Sequence, residues 1–178
     1  MKKTLLILLL AAMCSTLQAQ KIFQTKSGKV KFFSSAPLEN IEAVNNQVDS
    51  KLATNGQLVF MLGIKGFRFE NATMQEHFNE NYMESSKYPK AVFGGTITNL
   101  ATISFDKDGT YNASVTGELE IHGIKKKVSM DGTIEVKSGK VSVKSKFNIK
   151  LSDYNIKGSL IGEKIAKEVE VTVDCKYD

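Results

Sequence analysis

The sequence predicts an all-β fold, a closed antiparallel β-barrel of about eight strands with one or two short helices. Three observations point there. Apolar and polar residues alternate two by two over most of the second half; turn dipeptides separate the alternating runs; and one polar stretch, "HFNENYMESSKYPKAVF" from His77 to Phe93, interrupts the pattern midway. A sheet of this many strands must close or split to manage its edges. Long strands with short connections favour closure over a sandwich.

The first half is the less regular. "GKVKFFSSA" reads as a strand ended by Pro37. "PLENIEAVNNQ" carries no clean period and admits a short helical turn. "VDSKLA", the turn "TNG" and "QLVFMLGIKGFRF" form a hairpin. In its long strand Leu58, Phe60, Leu62 and Ile64 share a face, whereas Phe67 and Phe69 fall on the opposite parity. A bulge at Gly66 would return them to the first face. In "ATMQEHFNENYM" the apolar residues Met74, Phe78 and Tyr82 recur every four positions, one stripe of a short helix. Glu76, Asn79, Glu80 and Glu84 fall on or near its outer face. Pro89 stops the helix, and "KAVFGGTITN" opens the next strand.

The second half alternates cleanly. "KDG" at Lys107–Gly109 closes a hairpin between "ATISF" and "TYNAS". Tyr111, Ala113, Val115, Gly117, Leu119 and Ile121 form one face, with Asn112 to His122 on the other. Ile124, Val128, Met130, Ile134 and Val136 repeat the pattern. Val141, Val143, Phe147, Ile149 and Leu151 follow, then Ile165, Val169, Val171, Val173, Cys175 and Tyr177. His122–Gly123 and Ser138–Gly139 supply the turn chemistry between them.

The chain has 178 residues. Residues 1–19 read as a signal peptide: Lys2 and Lys3, an apolar run from Leu5 to Met13, and a small residue, Ala19, before Gln20. The run is too short for a transmembrane span. Met13 is a poor fit to the small residue that lipoprotein cleavage needs before Cys14. Residues 20–178 then form one domain, periplasmic or secreted. Cys175 is its only cysteine, so no intrachain disulfide forms, and burial must stabilise it. Without Lys2 and Lys3, 22 basic residues face 19 acidic ones, a formal charge of +3. The run Lys125–Lys127 reads as a solvated strand start. No aromatic-interleaved basic stripe supports nucleic-acid binding.

Catalytic and metal chemistry find little footing. His77 and Glu80 stand three apart on the expected helix, but a metal needs three or four ligands, and His122 is the only other histidine. His122 reads as a turn residue rather than a base. Cys175 lies on an apolar parity and reads as a small buried hydrophobe. Glu118 and Glu120 share a wet strand face. No nucleophile with an oriented base and no phosphate loop is recognisable. The sequence therefore predicts no enzyme, no cofactor and no metal.

The order and spacing of three landmarks, "HFNENYMESSKYPKAVFGGTI", "VTGELEIHGIKKKV" and "LSDYNI", resemble the YceI-like family from about Gly28 to the C-terminus. The resemblance implies a lipocalin-like barrel exported to the periplasm. It implies an apolar tunnel for a polyisoprenoid or similar long-chain lipid, and no catalytic residues. Many members open with a Trp and a His-Ser pair; "KIFQTKSGKVKF" here has neither.

Periodicity alone does not separate a filled core from a tunnel. The small inward residues Ala113 and Gly117 favour unfilled space, and the resemblance favours the tunnel. The candidate lining is Phe60, Leu62, Phe67, Phe69, Met74, Phe78, Phe93, Ala113, Val115, Leu119, Phe147 and Val171. The His77–Phe93 stretch reads as a plug or rim of the barrel. The function expected is to carry or sequester the lipid; the alternative is a non-catalytic envelope stress or interaction protein with a filled barrel. The sequence admits a homodimer.

Overall fold

The computed structural model describes residues 20–178; the expected signal peptide lies outside them. Eight antiparallel strands follow one another around a closed barrel. They are β1 (Ile22–Ser35), β2 (Asn40–Ala53), β3 (Gln57–Gly63), β4 (Lys90–Ile97), β5 (Gly109–Ile121), β6 (Ile124–Lys137), β7 (Lys140–Lys150) and β8 (Glu168–Lys176). Closure comes from β1 pairing with β8, between Lys29–Phe33 and Glu170–Asp174.

The hairpin turns follow from their residues. His122 and Gly123 have φ of 53° and 72°, and Ser138 and Gly139 have 51° and 76°. Two consecutive positive φ values match the right-handed twist of the flanking strands. Gly123 meets a second demand, because a Cβ there would stand 2.6 Å from the Tyr88 ring.

Four readings of the sequence are corrected. From Asn40 onward the stretch "PLENIEAVNNQ" is strand, the start of β2. Its alternation is hidden because the buried positions shift from odd (Ala43, Asn45) to even (Val48, Ser50, Leu52). The cause is a pair of compensating bulges: Thr25 faces Ser50, Gly28 faces Val48 and Val30 faces Asn45, so each strand holds one extra residue in turn. The bulge glycine is thus Gly28, where a Cβ would lie 2.5 Å from Cys175 Sγ. At Gly66 there is no bulge. The strand ends at Gly63 and a 3-10 turn, Ile64–Gly66, resets the direction of Phe67.

"ATISF" is not a strand. Leu100–Thr102 is a 3-10 turn in the long β4–β5 connection, so the "KDG" hairpin does not form. Ile165 precedes β8 rather than belonging to it.

The β2–β3, β4–β5 and β6–β7 connections and both ends of the described chain lie at one end of the barrel, which is packed. Phe23 and Phe105 stand 5.7 Å apart there, and the Tyr177 hydroxyl lies 2.8 Å from Ser50 Oγ. The opposite end carries the longer segments Ile64–Pro89 and Leu151–Lys167, and that is where the interior opens.

Candidate functional site: an apolar cavity in the barrel

The interrupting segment forms the lid of this end. Helix α1 (Ala72–His77) starts at Asn71, whose side-chain oxygen accepts from the amides of Thr73 at 2.8 Å and Met74 at 3.2 Å. It continues as one π-helical turn, Phe78–Tyr82. The apolar stripe points down: Met74, Phe78 and Tyr82 are half-buried and all face the interior.

Phe78 sits at the centre of four rings. Its centroid is 5.0 Å from Phe69, 5.5 Å from Phe32 and 5.6 Å from Phe67. Phe32 in turn stands 5.3 Å from Phe67. Offset and edge-on rings at such distances attract one another beyond their buried area.

Polar contacts tie the segment down beyond this cluster. The imidazole of His122 faces the Tyr154 carbonyl through Nδ1 at 3.1 Å and the Glu84 carboxylate through Nε2 at 2.9 Å. Tyr88 meets the same imidazole edge-on at 4.4 Å. The Tyr82 ring packs against Gly158, where a Cβ would come within 2.4 Å of it. The "SSKYP" and "HG" landmarks are thus one fastening, and His122 is both turn and anchor.

Beneath the lid the barrel holds a cavity of about 490 Å³. Strand β3 contributes Phe60 and Leu62, β4 Phe93, β5 Ala113, Val115 and Leu119, β7 Phe147 and β8 Val171. The lid adds Phe67, Phe69, Met74 and Phe78. All twelve predicted lining residues therefore stand on one continuous wall. Glu39, Asn71, Thr73, His77 and Lys164 border the cavity on the side of α1 and the β1–β2 turn, a polar rim around an apolar interior.

The sequence reading missed Phe32 and Ile41, and it left Met130, Val143 and Ile149 as general core. Phe32 was within reach, since Val30, Phe32 and Ser34 alternate. Ile41 was hidden by the bulge-shifted parity of β2. Gly117 is small for a different reason than unfilled space. A Cβ there would lie 2.7 Å from Phe93 Cζ, so the glycine seats that ring. Ala113 does border the cavity.

Two of the titratable groups that burial perturbs, Cys175 and Tyr177, lie toward the packed end, whereas a third, Tyr154, whose phenol burial also raises, lies in the 3-10 turn Leu151–Tyr154 at the open end. Burial pushes the Cys175 thiol up to about 11, and it raises the Tyr177 phenol as well. Neither group is poised for chemistry at neutral pH. Among the described residues, no three or more His, Cys, Asp or Glu are grouped to hold a metal ion. No helix among them is long and apolar enough to cross a membrane.

The family model of the YceI-like domain matches residues 15–177. A search of curated proteins returns no match. Among solved structures, a polyisoprenoid-binding domain from Saccharophagus degradans superposes with a TM-score of 0.77 at 14% identity, covering 88% of this chain and 97% of that one. BcnA of Burkholderia cenocepacia gives 0.70 at 18% identity, with 83% and 94% covered. The YceI protein of Campylobacter jejuni gives 0.56 at 19% identity, with 74% and 80% covered. At these identities the likeness is one of fold.

Proposed function

Because the chain belongs to the YceI-like domain family, we propose that it is a non-catalytic lipid-binding protein that takes a polyisoprenoid or similar long hydrocarbon chain into its barrel. One observation carries the reading: a continuous apolar cavity of about 490 Å³ whose polar groups stand at its openings. Such a wall offers burial and few directional contacts, which suits a chain rather than a polar metabolite. Each methylene transferred from water contributes about 0.8 kcal/mol, so a long chain binds tightly with little polar help. Met74 and Met130 add side chains that adapt to a flexible guest. The polyisoprenoid-binding relative supports this ligand class. Lys2, Lys3 and the apolar run before Ala19 support export, and hence a role in sequestering or carrying lipid outside the cytoplasm.

The cavity weighs against a filled barrel acting through its surface alone. Native mass spectrometry of the protein purified from its own cells tests the proposal. The expected result is a hydrophobic adduct that exchanges for an added polyprenyl or acyl probe. A bare mass, with no probe uptake after delipidation, would overturn it.

A further inference from the structure

Strands β6 and β7 are paired only from Gly132 to Lys137 on one side and Lys140 to Ser145 on the other. Above that level each is paired on one flank alone, β6 with β5 as far as Ile124 and β7 with β8 as far as Lys150. The strands part there and leave a window in the barrel wall. Its base is tight: a Cβ on Gly132 would lie 2.5 Å from the Lys144 carbonyl oxygen. Its top is crossed by the 3-10 turn Leu151–Tyr154, where Lys126 Nζ stands 3.9 Å from Asp153.

The cavity reaches this window. Its wall includes Met130 and Phe147, which face inward, and also Asp131 and Lys144, which alternation turns outward. A wall shared by both faces of one sheet means that the interior communicates with the outer surface between these strands. The free edges carry lysines, Lys125 and Lys127 on β6 and Lys146 and Lys150 on β7. Charged edges discourage the addition of another strand, so the gap is not an invitation to pair. Lysine stems can also lie along an emerging hydrocarbon while their ammonium groups stay wet. Lys125 Nζ leans toward Glu118 and Glu120 on β5, at 3.5 and 3.8 Å, and Lys146 Nζ toward Glu170 on β8 at 2.8 Å, which holds these ammonium groups at the surface beside the gap.

We propose that the window between β6 and β7 is where the far end of a bound hydrocarbon chain leaves the barrel. The proposal rests on the lipid-binding reading above. A closed interior would set a sharp upper limit on chain length. With the window, the chain enters past the polar rim, fills the cavity and emerges between Met130 and Phe147, so chains longer than the interior are accepted.

A series of unbranched primary alcohols of increasing length tests this. An environment-sensitive fluorophore is placed on Lys144→Cys, on the outer face at the base of the window, and for comparison on Lys51→Cys, an exposed outward position on β2. Native labelling leaves the buried Cys175 unmodified, and native mass spectrometry reports binding independently. The expected result is no response to short alcohols that bind, then a blue shift at Lys144→Cys beyond a threshold length, with Lys51→Cys silent throughout. A second variant, Ser145→Trp, places a ring at the base of the window. It should weaken the longest alcohols by about fifteenfold, two displaced methylenes at about fourfold each, and leave the shortest unchanged. Long alcohols that bind by mass yet never shift the Lys144→Cys probe would overturn the window and leave the lipid-binding reading standing. Failure of every alcohol to bind would overturn both.

Discussion

Glu84 Oε2 and His122 Nε2, 38 residues apart in sequence, lie 2.9 Å from each other and join the lid to the β5–β6 turn. The imidazole is buried while the carboxylate is half in solvent. Such an asymmetric pair stabilises mainly through the buried partner, whose loss strands the Tyr154 carbonyl as well.

His122→Ala should therefore lower stability by about 1–3 kcal/mol in urea unfolding, and Glu84→Ala by less, about 0.5–1.5 kcal/mol. The double variant should cost less than the sum of the two, because the residues touch. Amide exchange in Phe78–Tyr88 should rise in both single variants. An unchanged exchange pattern would mean that the lid is held by its rings alone.

Ala113→Phe should reduce uptake of a fluorescent polyprenyl or acyl probe severely while changing stability little, because the added ring enters the cavity. In a filled interior the same change would cost about 1–3 kcal/mol by overpacking. Ser114→Phe, on the outer face, loses the 2.8 Å hydrogen bond to Asp131 and should cost about 1 kcal/mol without affecting uptake. Blocked uptake in Ser114→Phe instead would invert the assignment of faces.

Cys175 should be slow to react with thiol reagents at neutral pH, being fully buried. Its pKa is raised by burial to about 11 from an ordinary 9.0. An acid whose folded pKa is raised favours the fold while it stays neutral. That contribution is complete below pH 9 and is lost as pH rises toward 11, where the unfolded thiol ionises first. Tyr177 is shifted in the same direction and adds to the loss at still higher pH. Urea midpoints should fall above pH 9, and more shallowly in Cys175→Ala. An equally steep fall in that variant would assign the alkaline loss elsewhere.

Phe78→Ala should cost about 2–3 kcal/mol, somewhat under a fully buried ring, and should loosen the lid. Phe32→Ala should show strong coupling to it in a double-variant cycle, since the rings are 5.5 Å apart and share Phe67 and Phe69. Strict additivity would show that the four rings do not act as one cluster.

N-terminal sequencing of the protein recovered from the cell envelope should begin at Gln20, following Ala19. Recovery of Met1, or a lipid on Cys14, would reject the expected cleavage.

The second half of the chain was legible because its strands alternate without interruption, and a period of two assigns each side chain to a face before any partner is known. The turns at His122–Gly123 and Ser138–Gly139 were equally local, since backbone sign and residue type suffice there. The predicted lining residues Ala113, Val115, Leu119, Phe147 and Val171 reached the cavity wall for the same reason, whereas Phe67 and Phe69 reached it through a 3-10 turn that alternation does not reveal. What remained hidden depended on pairs distant in sequence. The stretch that admitted a helical turn is strand with its parity shifted between Asn45 and Val48 by the bulges around Gly28, a position packed against Cys175 from the far end of the chain. The closure of β1 on β8, the junction of Glu84 with His122, the place of Phe32 beside Phe78 and the parting of β6 from β7 are likewise decided by which strands meet and where their registers end. By itself, the sequence determined the faces of the strands and the positions of the turns. Only the tertiary structure decided that those faces enclose space, because that space exists only when the first strand meets the last.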